Sequence, residues 1–96
     1  MSVVEVTSFS LAAGSNEETF LQLDRRVQTD VVPNQPGFMR RTTARSGENW
    51  VVVTLWASLE HAAAFDEMAG TYAAQVEFDV HIEVGSVRTE RYQTLD

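Results

Sequence analysis

The run from Trp50 to Ala57, Trp-Val-Val-Val-Thr-Leu-Trp-Ala, constrains the fold of this chain more than any other segment. Its β-branched and aromatic residues suit a strand. In an extended conformation Trp50, Val52, Thr54 and Trp56 share one face, while Val51, Val53 and Leu55 share the other. Both faces are apolar, so both have to be covered. The chain has 96 residues, room for one domain and one core. A chain of this size buries only about 60–65% of the surface that its unfolded form exposes. Disulfides, metals or association usually supply the missing stability. There is no cysteine, which excludes disulfides and thiolate metal sites. Association is the route left open.

The other elements follow from periodicity. Val3 to Leu11 alternates as a first strand, with Val3, Glu5, Thr7, Phe9 and Leu11 on one face. Gly14 breaks it. Ser15 and Glu18 have the spacing of a capping box, and Phe20, Leu23, Val27 and Val31 follow at helical intervals. The pattern predicts a helix from about Asn16 to Val31, ended by Pro33 because the residue before proline is pushed out of the α region. Gln35-Pro36-Gly37 is a turn. Phe38 to Arg45 reads as a second strand, joined to the Trp50 strand through Ser46-Gly47-Glu48-Asn49. Ser58 caps a second helix with Leu59, Ala62, Phe65, Met68 and Ala69 on one stripe. Residues 71–84 carry both a strand-like alternation and a four-residue spacing of Ala74, Phe78 and Ile82; a helix is the favoured reading. Val87 to Thr94 is a last strand.

Strand, helix, hairpin, helix, strand is the order of a ferredoxin-like βαββαβ unit, an α+β domain with its helices on one face of an antiparallel sheet. Those helices cover one face of the Trp50 strand. A second copy of the chain is the simplest cover for the other.

Charge narrows the partners. The net charge is −7, with seven arginines and no lysine. Such a surface repels nucleic-acid backbones and anionic membranes. No apolar run approaches the roughly 20 residues that a membrane span requires, and no leader pattern stands out. The cytoplasm is the expected compartment.

Three stretches together resemble the antibiotic biosynthesis monooxygenase superfamily. They are the first strand ending near Gly14, the helix closing before Gln35-Pro36-Gly37-Phe38, and Val53-Thr54-Leu55-Trp56-Ala57-Ser58 leading into the second helix. Val87-Arg88-Thr89-Glu90-Arg91-Tyr92 is similar to the end of bacterial members of that superfamily. The resemblance covers almost the whole chain and implies a dimeric α/β barrel, two facing ferredoxin-like sheets with a small-molecule pocket in each subunit. Its members carry out cofactor-free oxygenation of aromatic polyketides and quinols, or degrade haem. Haem degraders place an asparagine where this chain has Thr7, and a tryptophan with no equivalent near Phe65 and Asp66. His81 lies in the region of their histidine without matching its position. In the polyketide oxygenases a tryptophan corresponds to Trp56, and an asparagine and a tyrosine stand where this chain has Val52 and Ala62.

The resemblance thus implies a small-molecule-binding dimer, a cofactor-independent monooxygenase for an aromatic or quinone-like substrate. The alternative is a non-catalytic ligand-binding or structural dimer of the same fold. No cofactor is implied. The expected partners are a second copy and a small planar organic ligand.

Pocket-lining candidates follow from that barrel. Trp50 and Trp56 either fill the core or stack on a planar ligand. Thr7, Phe9 and Thr54 share the same sheet face and otherwise serve as strand filling. Arg41 and Arg91, from the basic clusters Arg40-Arg41-Arg45 and Arg88-Arg91, either pair with nearby carboxylates or bind a carboxylate or enolate. His81 is a candidate general base with no carboxylate at a spacing that would orient it. Glu77 and His81 stand four apart on a helix, but two ligands do not make a metal site.

Overall fold

The computed structural model describes residues 1–95. Its elements in chain order are β1 (Val3–Phe9), α1 (Glu17–Arg26), β2 (Phe38–Ser46), β3 (Asn49–Trp56), α2 (Leu59–Met68), α3 (Ala73–Val80) and β4 (Arg88–Gln93). The four strands form one antiparallel sheet in the order β2-β3-β1-β4. This is the ferredoxin-like α+β arrangement, with β1 and β3 in the centre. Among the described residues no helix is long and apolar enough to cross a membrane.

Register fixes which side chains share a face. Val3, Glu5, Thr7 and Phe9 lie opposite Trp56, Thr54, Val52 and Trp50, and Arg41 lies opposite Thr54 on the other side of β3. All of them face the helices. Phe9, Phe20, Leu23, Val27, Val31, Val32, Trp50, Ala74 and Phe78 form the buried core at one end of that layer. Phe20 anchors it, with its ring edge-on to Phe9 and Trp50 and tilted against Phe78 at 4.7 Å between centroids. At the other end Trp56, 1% exposed, sits between Phe38 and Phe65. On the opposite sheet face Val4, Val6, Val51, Val53 and Leu55 stay half-buried.

Two details of α1 differ from the expected ones. The cap is Asn16 rather than Ser15: Asn16 Oδ1 accepts from the Thr19 amide at 2.9 Å. Ser15 Oγ instead donates to the His81 carbonyl at 3.2 Å, tying the start of α1 to the end of α3. The capping box therefore does not form. Nor does Pro33 end the helical winding, because Val32 before it keeps helical torsions. The α-helix stops at Arg26, and Val27–Val31 continues as a wider π turn into a 3₁₀ turn at Val32–Asn34. Proline has no amide hydrogen and clashes with the carbonyl four residues back, so a looser winding is the way to continue through it. The chain becomes extended only at Gln35, the residue before Pro36.

Residues 73–80 are helical, as favoured. Ile82 makes only a single bridge to Leu11, so the alternation in this stretch does not become a strand. Ser58 caps α2 as expected, accepting from the His61 amide at 3.2 Å. Gly37 is left-handed at φ 78°, and a Cβ there would fall 2.2 Å from the His61 ring, which closes the β2–α2 junction to any larger residue.

Candidate functional site

The helix layer does not fill the space over the sheet. A cavity of about 440 Å³ remains between them, within the range of small-molecule sites. Its floor is Glu5, Thr7 and Phe9 from β1, Arg41 from β2, and Val52, Thr54 and Trp56 from β3. Phe65 and Asp66 from α2 and Gln75, Phe78 and Asp79 from α3 form the roof. Val32, Ala69, Ile82, Val84 and Val87 complete the walls. The lining is mostly apolar and aromatic, with a few charged groups at fixed places.

Arg41 is the deepest of these. Its side chain is 4% exposed, and Nη1 donates to Asp24 Oδ1 at 2.8 Å and to Gln28 Oε1 at 3.3 Å. Thr43 Oγ1 donates to the same Asp24 oxygen at 2.7 Å, which holds the carboxylate in place. The guanidinium carbon lies 5.4 Å from the centroid of the Phe78 ring. Every hydrogen bond of Arg41 to a described residue leaves from Nη1, so Nε and Nη2 remain available to a group inside the cavity.

Asp79 supplies the opposite function. Burial pushes its carboxyl pKa up, against the opposing effect of the Gln75 amide. Gln75 Nε2 donates to Asp79 Oδ1 at 2.9 Å and fixes the group's orientation. A carboxylate whose charge is disfavoured by its surroundings is a stronger base than one in water. Trp56 adds an unmet donor: its Nε1 is buried and is the one such side-chain nitrogen or oxygen without a partner among the described residues. An orphan of this kind costs about 1–3 kcal/mol.

A second, polar recess of about 420 Å³ shares Glu5, Thr7 and Asp66 with the cavity and adds Thr89 and Arg91. Arg91 Nε donates to Glu5 Oε2 at 2.7 Å, and its Nη2 donates to Asp66 Oδ2. Arg91 thus ties β4 to β1 and to α2. The Asp66 hydrogen bond, supported by Glu5, holds its pKa above the ordinary arginine value against desolvation.

The structure brings Thr7, Phe9, Arg41, Thr54 and Trp56 together around the cavity and sets Arg91 at its polar edge. Trp50 and His81 are not among the lining residues. Trp50 is packed edge-to-face with Phe20, and the Arg45 guanidinium lies 5.2 Å from its ring centroid. His81 closes α3, with its carbonyl accepting from Ala12 and Ser15 and its ring 6.4 Å from Phe20. Glu77 is paired with Arg26 at 3.1 Å. Among the described residues no group of three or more histidines and carboxylates could hold a metal. Sequence reasoning missed Asp79, Gln75, Glu5 and Asp66. The i, i+4 spacing of Gln75 and Asp79 is a usable signal once residues 73–80 are known to be helical.

No protein-family model matches the chain, and no curated protein matches it. Solved structures do match. SnoaB, a cofactor-independent oxygenase from Streptomyces nogalater, aligns with a TM-score of 0.79 at 15% identity, over 99% of this chain and 94% of that one. A candidate antibiotic biosynthesis monooxygenase from Bordetella bronchiseptica aligns with a TM-score of 0.80 at 14% identity, over 98% and 97%. The chain has the fold of the antibiotic biosynthesis monooxygenases. MhuD, a heme-degrader from Mycobacterium tuberculosis with two hemes bound in its active site, also shares this monooxygenase fold, with a TM-score of 0.66 at 22% identity over 97% and 95%. At such identities the likeness is one of architecture, and the chemistry of this chain has to be read from its side chains.

Proposed function

We propose that the protein is a cofactor-independent monooxygenase that binds a planar aromatic or quinone-like substrate in the cavity between helices and sheet. The observation that carries this reading is the presence, in one apolar cavity, of the Asp79 carboxyl oriented by Gln75 and the buried Arg41 guanidinium with free donors. The fold shared with SnoaB supports it.

The chemistry needs no metal. A hydroxyaromatic ketone of the anthrone type has an acidic ring CH₂. Asp79 takes one of its protons, and the resulting enolate oxygen lies against the free edge of Arg41. Ground-state oxygen accepts one electron from such a carbanion, and recombination of the two radicals forms a C–O bond. The peroxide anion takes back the proton held by Asp79, and the resulting hydroperoxide loses water to give a carbonyl. One O₂ is consumed; one of its atoms enters the product and the other leaves as water. The apolar walls keep bulk water from the carbanion, and the half-buried Phe65 provides a flat surface against which the ring system packs.

The same reading makes the protein a homodimer. Val4, Val6, Val51, Val53 and Leu55 form a contiguous apolar patch on the sheet face away from the helices, and the sheet of a second copy fits it.

The test uses the two tryptophans as probes. An anthrone or naphthoquinone should quench tryptophan fluorescence on binding. Replacing the half-buried Phe65 by Ala should weaken that binding about 5- to 150-fold, the worth of roughly 1–3 kcal/mol of stacking and burial, whereas Trp50→Phe should not. Equal loss in both variants, or no quenching at all, contradicts the proposed site. Binding without oxygen uptake favours a non-catalytic binding protein.

A further inference from the structure

The charges around the cavity are distributed unevenly, and the difference bears on which substrates can enter. Five charged side chains line the cavity or its polar recess among the described residues: Glu5, Asp66 and Asp79 against Arg41 and Arg91. Each guanidinium already has a carboxylate to match its charge, although Nε and Nη2 of Arg41 remain free as donors. Arg41 is held by Asp24 from behind, and Arg91 is shared between Glu5 and Asp66. The carboxylates of the recess therefore outnumber the cation between them, on a chain that is already at −7.

From this we infer that Glu5 and Asp66 act as a charge filter on the substrate: they admit uncharged planar aromatics and reject those carrying a carboxylate. The inference rests on the cavity being the substrate site. A carboxylate entering this recess loses hydration and meets two like charges. At Arg41 it meets a cation already matched by Asp24, and at Arg91 it has to displace Asp66 or Glu5, the latter a mostly buried carboxylate that would be left unpaired. An uncharged phenol or ketone pays none of this and can accept from Nε or Nη2 of Arg41. Transfer of its proton to Asp79 then moves charge within the site without changing the total, so the enolate forms where the ligand's own charge was excluded. The filter also acts against porphyrins, which bear propionates. Glu5 and Asp66 are specificity residues here, since they select the ligand by repulsion rather than by contact with the reacting atoms.

The experiment compares 9-anthracenemethanol with anthracene-9-carboxylate, two probes of one ring system that differ in charge, by fluorescence titration of the full chain. The wild-type protein should bind the alcohol at least about tenfold more tightly. In the Glu5→Gln, Asp66→Asn double variant that ratio should narrow about tenfold or invert, through a gain in affinity for the carboxylate as Arg91 becomes free. A measurement on the wild-type protein alone serves if the variant does not fold. Raising the salt from 0.02 M to 0.5 M shortens the screening length to a few ångströms, in line with roughly 10 Å at 0.1 M and 3 Å at 1 M, and should narrow the ratio. Equal or tighter binding of the carboxylate by the wild-type protein overturns the filter and leaves the cavity as the site. So does a ratio that neither the variant nor salt changes. If neither probe binds, the cavity reading falls and the filter falls with it.

Discussion

Individual side chains decide whether this cavity is reactive or merely empty, and Asp79 is the most telling of them. Burial raises its pKa above the usual 3.8, so the folded state binds its proton more tightly than the unfolded chain does. The sign of the linkage follows. Below pH 3.8 both states are protonated and nothing is lost. As pH rises through the interval up to the raised pKa, the unfolded state ionises first and stability falls. Asp79→Asn should therefore be more stable than the wild type at pH 7, and the two should converge in thermal denaturation near pH 3. A variant less stable at pH 7 would mean that the carboxylate is favourably solvated and no stronger a base than usual. Asp79 did not stand out in the sequence, because the partial desolvation of its carboxyl comes from packing between distant segments, while the residue as a whole stays exposed. Arg41 was one of two arginines the sequence offered from its basic clusters, and alternation from Phe38 does not give its face, because a register shift between Phe38 and Arg40 turns it towards the helices. Its partner Asp24 was not recognisable, since it reads as one more polar position on a helix.

At the level of elements the pattern of residues was largely sufficient. Period-two alternation located β1 and β3, the turns around them located β2 and β4, and helical spacing located α1 and α2. The failures lie at junctions. Ser15 and Asn16 are both good caps, and the competition was decided by the His81 carbonyl, 66 residues away in the chain, which takes the Ser15 hydroxyl. Asn16→Ala should cost about 1 kcal/mol in urea unfolding, and Ser15→Ala less. The reverse order would show that the capping box forms in solution. Residues 71–84 satisfied two periods at once. Packing of Ala74 and Phe78 against Phe20 and its neighbours selected the helix, and it is this choice that places Asp79 and Gln75 over the sheet. The π turn after Arg26 was illegible, because Pro33 allows either an ending or a looser continuation, and burial of Val27, Val31 and Val32 chose the latter.

For the molecule as a whole, the two apolar faces of β3 have different roles. One closes the core and the cavity with the helices; the other is the face proposed to meet a second copy. Sedimentation at micromolar concentration should give twice the chain mass of 10.7 kDa, and Val53→Glu should shift it towards the monomer. A well-folded wild-type monomer would remove the dimer from the reading while leaving the cavity intact, since every lining residue comes from one chain. The decisive measurement concerns the cavity's chemistry: oxygen uptake with an anthrone by the wild-type protein and by Asp79→Asn. The wild type should consume one O₂ for each anthrone oxidised to the quinone. The variant should still bind the substrate but turn it over about 10²- to 10⁴-fold more slowly, the usual worth of a positioned general base. Uptake by the wild type no faster than in protein-free buffer, or an Asp79→Asn protein as active as the wild type, would contradict an oxygenase built on this cavity.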